Sequence, residues 1–100
     1  MNLAVQTLTR ACKEALSCGH VRDLLASGGQ LVDVRSTADF SRDSLPGAVN
    51  IPVESLSYEH RLLSREQPVI VFGANEFRSS RAARLLAGKG FQRIYRLGDR

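Results

Sequence analysis

The residues with chemical potential are few, and the densest group lies between 73 and 84. Gly73-Ala74-Asn75-Glu76-Phe77-Arg78 follows the most apolar stretch of the chain, Val69-Ile70-Val71-Phe72, and leads into a helical pattern bearing Arg78, Arg81 and Arg84. Where a strand ends and a helix begins, unpaired backbone N–H groups, the positive end of the helix dipole and guanidinium forks can converge on one tetrahedral anion. Gly73, Ala74, Asn75, Glu76, Phe77, Arg78 and Ser79 thus form a candidate anion-binding loop. A plain alternative stands beside it: any strand-to-helix loop of an α/β domain looks like this, and helical arginines usually face water.

Elsewhere the signals are sparser. Cys12 and Cys18 are six apart, a spacing that fits neither a zinc ribbon nor a Cys-x-x-Cys redox pair. They read as reduced thiols packed like small hydrophobes in a reducing cytosol. His20 and His60 are isolated and read as surface imidazoles. Neither a metal nor a cofactor is expected, since no zinc-ligand spacing occurs.

Charge narrows the partners. Fourteen basic against ten acidic side chains give a net +4, and twelve of the fourteen are arginine. Residues 1–50 carry five of each sign, whereas residues 51–100 carry nine bases and five acids. From Arg78 to Arg100 the count is seven bases to one acid, which suits an oxyanion such as sulfate, thiosulfate or phosphate, or an acidic protein partner. Six aromatics and no Lys/Arg-rich block argue against nucleic acid. No apolar run approaches the ~18 residues of a membrane span. The start, Met1-Asn2-Leu3-Ala4-Val5, lacks the cationic opening of a secretory signal, so a soluble cytoplasmic protein is the expectation.

One hundred residues, 43% apolar and 24% charged, make one small globular domain with no room for a second core. Leu3, Leu8, Cys12, Ala15 and Leu16 fall near one face of a 3.6-residue period, predicting a helix over 3–16 and an N-terminal helical extension over 1–18. Val21, Leu24 and Leu25 mark a second helix that Gly28-Gly29 stops, and Leu31 to Val34 reads as a buried strand. Thr37 to Asp43 suits a short helix with Phe40 inward, Leu45-Pro46-Gly47 a turn, and Ala48 to Ile51 an extended piece. Val53 to Leu63 is mixed, with two short helical pieces around Tyr58. Val69 to Phe72 should be a central strand, followed by a helix from Ser79 that buries Ala82, Ala83, Leu85 and Leu86, and by a strand within Phe91 to Leu97. Short apolar strands alternating with helices predict an α/β fold: about five mainly parallel strands with helices on both faces.

Two separated motifs carry a resemblance. Asp33-Val34-Arg35, Asp39-Phe40 and Leu45-Pro46-Gly47-Ala48-Val49-Asn50-Ile51-Pro52 resemble the opening pattern of rhodanese-like domains. Val69 to Phe72, the six-residue loop, Arg78-Ser79 and the helix after them are similar to that family's active-site strand, loop and helix. Gly90-Phe91 through Leu97-Gly98 is similar to its last strand and turn, so the match runs from about Val21 to Gly98. It implies a rhodanese-like domain over 19–100 and, in active members, transfer of sulfane sulfur through a cysteine at the first loop position.

In this chain the resemblance puts Gly73 at that position, and glycine has no atom to receive sulfur. Glu76 stands where the loop usually has glycine, and its carboxylate either repels an anion, folds inward onto the loop amides, or is simply solvated. Ser44 replaces a common histidine. Related phosphatases and arsenate reductases usually have a longer loop and need the same cysteine. Asp33, Arg35 and Asp39 read as structural polar residues, with Asp39 a partner for Arg35. Phe77 reads as a ring tucked against the neighbouring loop, with a partner contact as the alternative.

Family members commonly continue past the Leu-Gly turn into a Trp-bearing helix, whereas this sequence stops at Asp99-Arg100. The expectation is that helix 3–16, a further segment of a longer or fused protein, or a second copy in a homodimer covers the sheet there. The functional expectation is an inactive, anion- or partner-binding regulatory module. The alternative is a working sulfurtransferase or sulfur carrier that uses Cys12, Cys18 or a partner's cysteine.

Overall fold

The computed structural model describes residues 5–7, 15–16, 18–73 and 75–97. In chain order the elements are β1 (Val5–Thr7), β2 (Ala15–Leu16), α1 (Cys18–Ala26), β3 (Gln30–Asp33), α2 (Thr37–Arg42), β4 (Val49–Asn50), α3 (Leu56–Glu59) between two 3-10 turns at Val53–Ser55 and His60–Leu62, β5 (Val69–Phe72), α4 (Glu76–Gly88) and β6 (Ile94–Leu97). The strands form one sheet in the order β2-β1-β6-β5-β3-β4. The four strands β6, β5, β3 and β4 are parallel, and β1 and β2 extend the sheet antiparallel beyond β6.

Each face of the parallel sheet has its own cover, as the alternation of strand side chains requires. Val69 and Val71 of β5 pack with Val32, Leu56, Ala82, Ala83, Leu86 and Ile94 beneath α3 and α4. Ile70 points the other way, with Leu31 and Leu97, against Val21 and Leu24 of α1. Each fully buried aliphatic contributes about 1.5–3 kcal/mol, and β5 is buried on both sides because it is, with β3, an interior strand of the parallel sheet.

Two expectations are corrected. The segment expected as helix 3–16 is strand wherever it is described: Val5–Thr7 pairs with β6 in the register Val5↔Leu97 and Gln6↔Arg96, and Ala15–Leu16 pairs with β1. The open edge of β6 offers a backbone ladder to the segment 5–7, whose Val5 and Thr7 are β-branched, and that pairing outweighs a weak helical stripe. The cover it was expected to supply comes from α1. The second correction concerns α4, which begins at Glu76 rather than Ser79.

The turn Leu45-Pro46-Gly47-Ala48 sets the entry to β4. Ala48 N–H donates to the Leu45 carbonyl at 3.1 Å, and Gly47 has φ +82°, the left-handed conformation such a Pro-Gly turn needs. Among the described residues no helix is long and apolar enough to cross a membrane.

Candidate functional site

At the carboxyl end of β5 the chain passes through Gly73 into α4 within three residues. Asn75 is the helix cap: its backbone is extended (φ −148°, ψ 164°) and its Oδ1 accepts the Arg78 N–H at 2.8 Å. The Asn75 carbonyl accepts the Ser79 N–H at 3.2 Å and the Ser79 hydroxyl at 3.1 Å. Two of the amides that the resemblance offers to an anion are therefore held by Asn75, and not by Glu76.

Gly73 is buried beneath this turn. A Cβ at Gly73 would stand 2.8 Å from the Ser79 nitrogen, 3.1 Å from its Cα and 3.2 Å from the Arg78 Cβ. The junction has closed to a distance that only glycine allows. Ala74 lies outside the described residues.

Glu76 points outward. Its side chain is 78% exposed, and its carboxylate lies 3.6 Å from the guanidinium of Arg96, a buried side chain on β6. Arg96 also donates to the Ser80 hydroxyl at 2.6 Å and approaches the Glu76 carbonyl at 3.5 Å, anchoring the first turn of α4 to the sheet. The reading of Phe77 as a tucked ring is corrected: it is 75% exposed, beside a cleft of about 90 Å³ shared with Val53, Glu54, Asn75, Arg78 and Arg81. A ring at the second position of α4 lies opposite the helix face that packs on the sheet.

The neighbouring strand β3 ends differently. Asp33 is fully buried, and its carboxylate accepts from the Arg35 backbone N–H at 2.9 Å, from Nε at 3.0 Å and from Nη2 at 2.9 Å. Arg35 also donates to the Asp43 carbonyl at 2.6 Å, lies 3.4 Å from the Asp43 carboxylate, and stacks 5.1 Å from the Phe72 ring centroid. Hydrogen bonding to Asp33, opposed by desolvation, holds the Arg35 guanidinium above its ordinary pKa. Asn50 ties the loop down by donating to the carbonyls of Asp33 and Arg35. A cleft of about 150 Å³ lies here, lined by Arg35, Asp43, Ser44, Leu45 and Phe72.

Asp39 is not the partner of Arg35. It sits in the first turn of α2, its own amide is capped by the Ser36 hydroxyl, and it pairs with Arg42 one turn along the same helix. The Arg42 hydrogen bond is the chief cause that lowers its pKa below the ordinary carboxylate value. The nearer acid Asp43, at the end of α2, takes Arg35 instead.

Of the remaining candidates, Cys12 lies outside the described residues and Cys18 opens α1. His60 is buried rather than on the surface: its Nδ1 lies 3.2 Å from the Leu56 carbonyl and its ring meets Phe91 edge-on. Sequence reasoning missed Arg96 and Asp43. The signal for Arg96 was the alternation Ile94-Tyr95-Arg96-Leu97, which puts Arg96 on the same sheet face as Ile94, beneath α4.

Comparison with known proteins agrees with this geometry. The family model described as Rhodanese-like domain matches residues 17–98. The chain is 37% identical over 68 residues to the uncharacterized protein YqhL of Bacillus subtilis, covering 68% of this chain and 54% of that protein. It is 33% identical over 70 residues to the tRNA sulfurtransferase of Desulfurococcus amylolyticus, covering 70% of this chain and 14% of that protein. The chain thus spans about half of the first relative and a small part of the second. Among solved structures, the Alr3790 protein from Anabaena sp. is similar with a TM-score of 0.71 and 25% identity, over 79% of this chain and 74% of that one. The human single-domain sulfurtransferase TSTD1 is similar with a TM-score of 0.67 and 26% identity, over 82% and 86%. The family match begins one residue before α1 and ends one residue after β6, taking in the whole parallel sheet and the Gly73 junction; the chain belongs to the rhodanese-like domain family.

Proposed function

We propose that this domain does not transfer sulfur through its β5–α4 loop and serves instead as a binding module whose contact lies at that loop and the first turns of α4. The observation that carries this is the closure over Gly73. The residue at the family's nucleophile position carries no side chain, and the space a Cβ would need is taken by the Ser79 backbone at 2.8 Å. The Asn75 cap on the amides of Arg78 and Ser79 favours a protein partner over a small oxyanion, since those donors are already engaged.

A second reading keeps sulfur transfer and moves the thiol. Val5 pairs with both Leu16 and Leu97, so β2 ends level with the carboxyl end of β6, and Cys18 opens α1 two residues later. That puts Cys18 at the same end of the sheet as Gly73. The sulfurtransferases among the relatives make the reading concrete.

One experiment separates them. The protein is incubated with thiosulfate and cyanide, thiocyanate is measured, and the intact mass is read for a gain of about 32 Da, one persulfide sulfur. The binding-module reading expects thiocyanate at the blank level and no adduct. Turnover abolished by Cys18→Ser would overturn it in favour of the second. Sulfate or phosphate should leave the melting temperature unchanged, whereas a real oxyanion site at ~100 times its Kd would add about 2.7 kcal/mol.

A further inference from the structure

Arg61, Arg65 and Arg93 donate to backbone carbonyls and, like Arg22, make no ion pair among the described residues; the other six described arginines fall into two groups. Arg35, Arg42 and Arg96 are ion-paired to Asp33 and Asp43, to Asp39 and to Glu76. Arg78, Arg81 and Arg84, all on α4, make no ion pair among the described residues. At about 100° per residue, Phe77, Arg81 and Arg84 fall within roughly 60° of one another on the helix surface, with Arg78 at the margin. The opposite side of α4 carries the buried Ser79, Ala82, Ala83 and Leu86. Phe77 is also the most exposed of the large hydrophobics among the described residues, and it borders the cleft with Val53.

An exposed aromatic beside unpaired guanidinium groups is the composition of an interface anchor, since binding energy concentrates on aromatic and Arg side chains. We infer that this stripe of α4 docks an acidic protein segment carrying one apolar side chain, which lodges in the Phe77–Val53 cleft while its carboxylates meet Arg78, Arg81 and Arg84. The inference rests on the binding-module reading and names the chemistry of the partner. Charge selects this occupant over two others. A second copy would bring the same cationic stripe and a net charge of +4, which repels. A nucleic acid would bring a continuous polyanion past Glu54, which lines the cleft, and past the exposed Glu76, whereas a peptide sets its apolar side chain beside Glu54 and its carboxylates only against the arginines. From Phe77 to Arg84 the stripe is about 10 Å long at ~1.5 Å per helical residue, so three or four extended residues at ~3.3 Å each span it.

The test uses the full chain and fluorescein-labelled synthetic peptides of about eight residues, enough to span the stripe with flanks. One is Glu-rich with a central Leu, the second has Ser in place of that Leu, and a single-stranded RNA of similar length is the third probe. In fluorescence anisotropy the Leu peptide should bind about tenfold tighter than the Ser peptide, and Phe77→Ala should erase that difference. Arg81→Glu with Arg84→Glu should weaken both peptides roughly tenfold, Arg81→Gln with Arg84→Gln less, and Arg22→Glu on α1 not at all. All of these positions except the margin of the stripe are exposed, and thermal melting verifies that each variant is folded. Equal binding of the two peptides, indifference to charge reversal on α4, or tighter binding of the RNA overturns the inference. Thiocyanate production is read on the same preparations: turnover with the peptide result intact would overturn the binding-module reading alone, and absent turnover with failed binding would overturn only the docking surface.

Discussion

β3 and β5 lie side by side in the same sheet and end at the same level, Asp33 paired with Phe72, yet the chain leaves them by opposite means. After β3 the exit is held by side chains: a buried carboxylate, the Arg35 fork, Asp43 and the amide of Asn50. After β5 the turn itself closes by backbone, with Gly73 under the Ser79 amide and Asn75 as cap, while Arg96 of β6 anchors the first turn of α4 from the sheet. A charge lock fails when one partner is deleted, because the other charge is left in a poorly solvated place. A backbone closure of this kind fails when an atom is added. The two exits should therefore respond to opposite kinds of substitution.

The largest effect is expected at Asp33. Asp33→Ala strips a half-buried Arg35 of its main acceptor and should cost about 3–5 kcal/mol in urea unfolding at neutral pH. Asp33→Asn, which keeps acceptor geometry for the Arg35 amide, should cost less. A loss below about 1 kcal/mol for the alanine variant would mean that Asp43 alone satisfies the guanidinium and that the β3 exit is not a charge lock.

Next comes Gly73→Cys, where the obstacle is a backbone nitrogen rather than the end of a flexible side chain. Overpacking of this kind typically costs about 1–3 kcal/mol, and thiocyanate should stay at the blank level because the thiol can enter only by displacing the Ser79 turn. A variant of undiminished stability with measurable sulfur transfer would break the comparison, showing that the β5 exit opens readily. Asn75→Ala should be milder, about 1 kcal/mol, the usual loss for an N-cap. Asn75→Asp should keep the cap and place its charge favourably at the helix start, so its stability should match or exceed that of the native domain.

The same contrast explains what the sequence made legible. The interior strand β5 was visible in four successive apolar residues, and the Gly28-Gly29 stop and the Pro46-Gly47 turn follow from local conformational rules. The start of α4 was also within reach of local rules, since Asn75 is a preferred N-cap and Glu76 suits a first turn; a six-residue loop taken from the family resemblance displaced it. Features that depend on distant chain were not legible. Strand pairing for Val5–Thr7 depends on an edge that β6 supplies some ninety residues later. Arg35 chooses Asp43 over Asp39 because α2 turns one acid toward β3 and the other toward Arg42. The clash at Gly73 depends on how tightly Ser79 folds back, a distance that no residue pattern carries.

The smallest effect sharpens the comparison within the β3 exit itself, between two arginines that face acids of the same loop region. Asp39 has a lowered pKa chiefly because of Arg42, so its contribution is complete above the unfolded carboxylate value of ~3.9 and fades as pH falls through the lowered folded value. Arg35 has a raised pKa, so its contribution is complete below the ordinary arginine value and fades only in strong base. Between pH 5 and 9 neither pair should impose a slope on stability. A carboxyl carbon NMR titration should show Asp39 ionising below an ordinary aspartate, and Arg42→Ala should return its midpoint most of the way. The shift that remains should come from the Ser36 hydroxyl and, more weakly, from Arg35. If Arg42→Ala left the midpoint in place and Arg35→Ala moved it, the pairing would be the one the sequence suggested, and the β3 exit would be a single network rather than two independent pairs.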